Sequence, residues 1–160
     1  MDATIMQSMH SLLDKLSKEY PDFQFIQDNM FWWSAAQKII HMDRHATHAE
    51  EYTLHETSHA ILGHSGYNRD IDLVKLERDA WDYAQRTLGP RYGIAITEDI
   101  IQNNLGTYRE WLYQRSMCPD CTETGIETRQ HIYRCLACGH MWRVNEAKLC
   151  ALRRYSLQTK

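Results

Sequence analysis

The sequence predicts an α+β protein in two parts: helices around a short antiparallel sheet over residues 1–116, then a small cysteine-bearing module over 117–144, with a short helix and tail at 145–160. Three observations predict this. Helically spaced apolar residues bracket a stretch, 22–42, that is rich in aromatic and β-branched residues and reads as two or three short antiparallel strands. Four of the five cysteines form two C-x-x-C pairs near the C-terminal end. The remaining composition, 43% apolar and 24% charged over 160 residues, is that of a globular chain with one ordinary core, or one core and a small module.

The elements follow in order. Ile5, Met9, Leu12, Leu13, Leu16 and Tyr20 give a first helix, ended by Pro21. Phe23 and Phe25 alternate with polar neighbours, Asp28-Asn29 marks a turn, and the runs FWW and KIIHM continue the strand character. Residues 46–62 read as a helix stopped by Gly63 and Gly66. Leu73, Leu76, Ala80, Ala84 and Leu88 share one face of a helix over 70–88, ended by Gly89-Pro90. Thr97 caps a further helix whose first turn carries Glu98 and Asp99 and which runs to Ser116. The last helix is placed at 145–155.

Several classes are excluded. A formal charge of −3 gives no whole-protein basic field that points to DNA or an anionic membrane. No stretch approaches the roughly 18 apolar residues of a membrane span. The opening MDATIMQSMHSLLDKL has neither a basic start nor a long apolar run, so no secretory signal is read. An odd cysteine count in paired C-x-x-C form is a poor disulfide framework and a good metal framework, which points to a reducing cytoplasm.

His55-Glu56-Thr57-Ser58-His59 is an HExxH motif. Residues four apart share a helix face, so both imidazoles can bind one metal ion, and Glu56 can reach a water there as general base. A catalytic zinc takes a third protein ligand. Position 65 is Ser, so the collagenase-type third histidine is missing, and His64 follows Gly63 where the helix ends. Glu77 is the better candidate. At about 100° per residue it lies within the apolar arc of the next helix, where an unpaired carboxylate is costly. His48, Tyr52, His64 and Tyr67 are candidate oxyanion donors, and spacing does not choose among them. No ligand spacing links His41, His45 and His48, which are expected at exposed polar positions.

HETSHAILGH followed by ERDAWDYAQRTLGP resembles the ImmA/IrrE-type metallopeptidases, relatives of the gluzincins, over roughly residues 23–90. Glu77, Ala80, Tyr83, Ala84, Leu88 and Pro90 fall on that family's second-helix frame, with Tyr83 for the usual Phe and Thr87 for the usual Leu. The resemblance implies a gluzincin-like domain with zinc on His55, His59 and Glu77, and Glu56 as base. It also implies restricted intracellular cleavage of a protein substrate, in several members a transcriptional regulator. Trp81 departs from the pattern: related peptidases often carry an Asp or Asn there that supports a zinc histidine, a role left here to Asp79, Asp82 or a backbone carbonyl.

Cys118, Cys121, Cys135 and Cys138, with 13 residues between the pairs, can close a tetrahedral four-thiolate site, predicting a zinc ribbon and a second, structural zinc. Ile132 and Tyr133 supply a strand into the second pair, Met141, Trp142 and Val144 a strand out, and Gly139 suits a positive φ. Cys150 stands apart as a small buried hydrophobe. Arg129, His131, Arg134, Arg143, Arg153 and Arg154 tilt this end basic, which keeps a competing function open: a non-catalytic module docking nucleic acid or protein through the ribbon. An SprT-like protease, also an HExxH helix with a four-cysteine ribbon, is the third reading. Manganese is an alternative to zinc on a set of two histidines and a glutamate.

Overall fold

The computed structural model describes residues 3–146 and 151–157. The fold is α+β with two small sheets. Two compact units emerge: residues 1–65 with 76–101, and residues 66–75 with 102–160. The division therefore falls inside two helices and does not follow the expected boundary after residue 116.

The first unit begins with α1 (Ala3–Glu19), whose Met9, Leu12, Leu13 and Leu16 form a buried stripe at helical spacing. Strands β1 (Gln24–Gln27), β2 (Trp32–Ser34) and β3 (Ile39–Met42) follow, in the order β1-β3-β2. The sheet is mixed, correcting the antiparallel expectation: β2 is antiparallel to β3, but β1 runs parallel to it. Burial gives the reason. Ile40 and Met42 are both fully buried, so the most apolar strand takes the centre and the more polar strands become its edges.

Helix α2 (Ala49–Ile61) starts three residues later than expected, after the N-cap His48, which adopts the left-handed conformation with φ 62°. Every residue from Thr53 to Ala60 is buried. Three hydroxyls survive there because each bonds back one turn: Thr53 to Ala49 O at 2.7 Å, Thr57 to Thr53 O at 2.7 Å and Ser58 to Leu54 O at 2.8 Å.

Helix α3 (Asp70–Tyr83) runs into a π-helical turn, Ala84–Leu88, and then into α4 (Gly89–Tyr92). Gly89-Pro90 thus does not end the helical run. The Gly89 N–H reaches back to Ala84 O in the wide π turn. Pro90 then sits in the first turn of α4, where its missing N–H breaks no bond. The chain leaves at Gly93, φ 73°. Ala80, Trp81, Ala84 and Leu88 are all fully buried.

Helix α5 (Glu98–Ser116) leads into the second unit's sheet: β4 (Gly125–Arg129), β5 (Ile132–Cys135), β6 (Met141–Val144) and β7 (Arg154–Leu157), antiparallel in chain order. The expected C-terminal helix is corrected, because Arg154–Leu157 instead extends the sheet along β6. Residues 147–150 of that stretch, Cys150 included, lie outside the described residues. Cys118, Tyr133, Cys135, Trp142 and Val144 make the buried cluster.

Candidate functional site

Helix α2 presents His55 and His59 on one face, and the 76–83 part of α3 brings Glu77 against them. His55 Nε2 lies 3.1 Å from Glu77 Oε2 and 3.2 Å from His59 Nε2, and His59 Nε2 lies 3.6 Å from Glu77 Oε1. Two imidazole nitrogens and the two carboxylate oxygens of Glu77 therefore converge, each ring facing a different oxygen. A tetrahedral zinc bonded at about 2.0–2.1 Å has ligand–ligand edges of about 3.3–3.4 Å, and the His55–His59 spacing of 3.2 Å is close to that value. All three residues are buried, and the group is able to hold a metal ion. Glu56 Oε1 stands 3.8 Å from His55 Nε2, beside the convergent atoms.

Burial and partners set the protonation. Burial holds His55 down to about 4. Burial opposes the charged form of His59 as well, but the hydrogen bond to Glu77 and the charges of Glu56 and Glu77 outweigh it and raise the ring. For Glu77 burial works upward, and the hydrogen bonds to the two histidines hold its carboxyl well below the usual carboxylate range. The site thus keeps Glu77 ionised and His55 neutral at neutral pH, the states in which both bind a cation.

The two histidines are supported differently. To present Nε2, each ring must carry its proton on Nδ1. His59 Nδ1 lies 2.8 Å from His64 Nδ1, so His64 can accept that proton. The turn at Gly63, φ 71°, brings His64 back: its backbone N–H bonds to His59 O at 3.0 Å, and its own carbonyl accepts the Trp33 indole N–H at 2.9 Å. His55 Nδ1 is buried and has no hydrogen-bond partner. Trp81 stacks on the His55 ring, centroids 4.1 Å apart and planes 16° apart. Neither Asp79 nor Asp82 takes the supporting role considered for them; their carboxylates are more than half exposed, near Arg78 and Arg86. Two imidazole nitrogens and a carboxylate meet in a buried space, a donor set that a bound cation would satisfy.

Other candidates separate. His45 and His48 are exposed, as expected. His41 is not: its side chain is 14% exposed, its Nδ1 lies 3.0 Å from Asp28 Oδ2, and Trp32 stacks on it at 3.8 Å. The fixed strand register explains this, because His41 faces Trp32 across β2–β3. Tyr52 packs against the rings of Phe31 and Trp81. Tyr67 belongs to the second unit.

In the second unit Cys118 Sγ lies 3.7 Å from Cys138 Sγ, and Cys121 Sγ 3.5 Å from Cys135 Sγ. Zinc–sulfur bonds of about 2.3 Å give a tetrahedral edge of about 3.8 Å, so the four thiols fit one zinc ion. Backbone N–H groups, that of Cys138 foremost, hold the Cys135 thiol down to about 7. Gly139 has φ 77°, the turn expected of it.

Asp70, Glu127 and His131 form a third convergent group that the sequence did not signal. A cation already occupies it. Arg115 Nε and Nη2 bond the two Asp70 oxygens at 2.5 and 3.1 Å, and the Tyr133 hydroxyl donates to Asp70 Oδ2 at 2.5 Å. Glu127 accepts the backbone N–H groups of Asp70 and His131. This is a satisfied buried network, and it takes His131 out of the expected basic surface.

No family model matches the chain, and no curated protein or solved structure matches it. No helix among the described residues is long and apolar enough to cross a membrane.

Proposed function

We propose that the chain is a zinc-dependent peptidase of the ImmA/IrrE type, with a gluzincin-like catalytic unit and a four-cysteine zinc ribbon that serves the fold. The observation that carries this reading is the convergence of His55 Nε2, His59 Nε2 and the Glu77 carboxylate, with Glu56 beside them. The third convergent side chain is a carboxylate and not a histidine, which favours this reading over an SprT-like protease.

His55, His59 and Glu77 would hold the catalytic zinc, and Cys118, Cys121, Cys135 and Cys138 the structural one. A zinc ion on the first set supplies Lewis-acid polarisation of a peptide carbonyl and acidifies water. Glu56 Oε1 takes the proton of the attacking water and delivers it to the leaving amine nitrogen. Glu77, ionised at neutral pH, would offset the charge of the cation. His64 fixes the His59 tautomer. The substrate in this reading is a protein or peptide, with a transcriptional regulator the class that the resemblance suggests.

The test is hydrolysis of a quenched-fluorescent peptide library by the zinc-loaded full chain and by Glu56→Gln, with zinc content measured on both. Loss of about 10²–10⁴-fold in rate with unchanged zinc is expected for removal of a general base. Equal rates would falsify the assignment of Glu56.

A further inference from the structure

The second unit carries 11 basic and 7 acidic side chains, while the first carries 7 and 14. The whole-chain charge of −3 conceals a positive unit. By register, Arg129, Arg134 and Arg143 share one side of its sheet, while Arg154 pairs with Val144 on the other. Strands β4 to β7 contain four arginines and a single carboxylate, Glu127, whose oxygens are spent on the backbone N–H groups of Asp70 and His131.

The strand register sorts the side chains. Tyr133, Cys135, Trp142 and Val144 are buried on the inner face. The alternate positions form two rows across the outer face: Ile126, Arg134 and Met141 pair in one, Ile132, Arg143 and Tyr155 in the other. Ile126 is 51% exposed and Tyr155 43% exposed. The Arg143 guanidinium sits 5.3 Å from the Tyr155 ring centroid. A groove of about 560 Å³ opens beside these two residues, lined also by Gln130 and Asn145, with Glu146 contributing the carboxylate of its lining.

We propose that this outer face docks single-stranded nucleic acid. A phosphate backbone fits Arg134 and Arg143, which meet no carboxylate along their rows. The interleaved tyrosine and aliphatic side chains fit the flat faces of bases. Those faces are exposed in a single strand and hidden in a duplex, so the apolar content selects the single strand. The inference does not rest on peptidase activity, and its measurement involves no hydrolysis.

The test uses the zinc-loaded full chain and a fluorescein-labelled oligothymidine of about 20 nucleotides, followed by anisotropy between about 50 and about 200 mM salt. Binding should weaken with salt, and Arg134→Gln and Arg143→Gln should each lower the log–log slope by about 0.7, one single-strand phosphate contact apiece. Tyr155→Ala should weaken binding about tenfold, and Tyr155→Phe, which keeps the ring, should stay within about twofold of the parent. Zinc content and circular dichroism confirm that each variant is folded; if Tyr155→Ala fails this check, the two arginine variants decide. Three outcomes overturn the proposal. One is no binding at the lowest salt. Another is equal binding of duplex with Tyr155→Ala silent, which leaves phosphate contact alone. The third is equal competition by polyglutamate, which points to an acidic polypeptide.

Discussion

Replacing His64 tests whether the metal site is built as its geometry implies. His64 hydrogen-bonds His59 and is placed to act through it, so it is a positioning residue. Removing the outer partner of a metal-bound imidazole costs about 10–100-fold in metal affinity, or about 1.4–2.7 kcal/mol. The structure decides where in that range each variant falls. The Nδ1–Nδ1 separation of 2.8 Å is short, and the His59 side chain is only 10% exposed. His64→Phe keeps a ring in place, admits no water and should fall near the 100-fold end. His64→Ala leaves room for a water to accept the proton and should fall near the tenfold end. His64→Asn retains an acceptor and should recover most of the loss. Zinc affinity would be read by chelator competition on protein whose four-cysteine site is already filled. The reasoning is refuted if the Phe variant binds within about twofold of the parent, or if Asn is no better than Phe.

Arg115→Met strands the fully buried Asp70 carboxylate and should destabilise the second unit by about 3–5 kcal/mol, with Asp70→Leu in the same chain restoring much of it; urea unfolding of zinc-loaded protein checks this, and a loss below about 1 kcal/mol contradicts the network's importance. Tyr133 gives a pH dependence of definite sign. Burial, and then the hydrogen bond to Asp70, raise its phenol above the ordinary value near 10. The unfolded chain therefore loses this proton first, so the contribution is intact below about pH 10 and is lost as pH rises towards the folded value. The urea midpoint of the parent should fall more steeply between about pH 9 and about pH 11 than that of Tyr133→Phe, and equal slopes would exclude the effect.

What could be read from the sequence depended on how far apart the cooperating residues lie. His55 and His59 are one helical turn apart, so their shared face follows from spacing alone, and Glu77 was legible as a carboxylate within an apolar arc. Both C-x-x-C pairs are local as well. The Asp70 network joins residues 45 and 63 positions apart through two helices and two strands, and no local pattern marks it. His64 had a signal that was underused: Gly63 in the left-handed region turns the chain back on the helix it has just ended. Trp81 stood out as a departure, but only packing shows that it replaces a polar support by stacking on His55. The parallel pairing of β1 was hidden because KIIHM follows β2 in the chain yet inserts between β1 and β2.

Charge shows the same limit from the other side. The sum of −3 counts every ionised side chain equally, as though a ligand met them all. In physiological salt a surface charge is felt over about 8 Å. A unit the size of the second one, 69 residues, has a radius of gyration of about 11 Å, so its opposite faces are screened from each other. Along the outer rows of the sheet, Arg134 and Arg143 pair with no carboxylate. The sum rules out a whole-protein basic field but does not set the sign at one face, so it is compatible with nucleic-acid docking through the ribbon. The sign of the local field follows from strand register, which turns the sheet's one carboxylate inward and leaves these arginines at the surface.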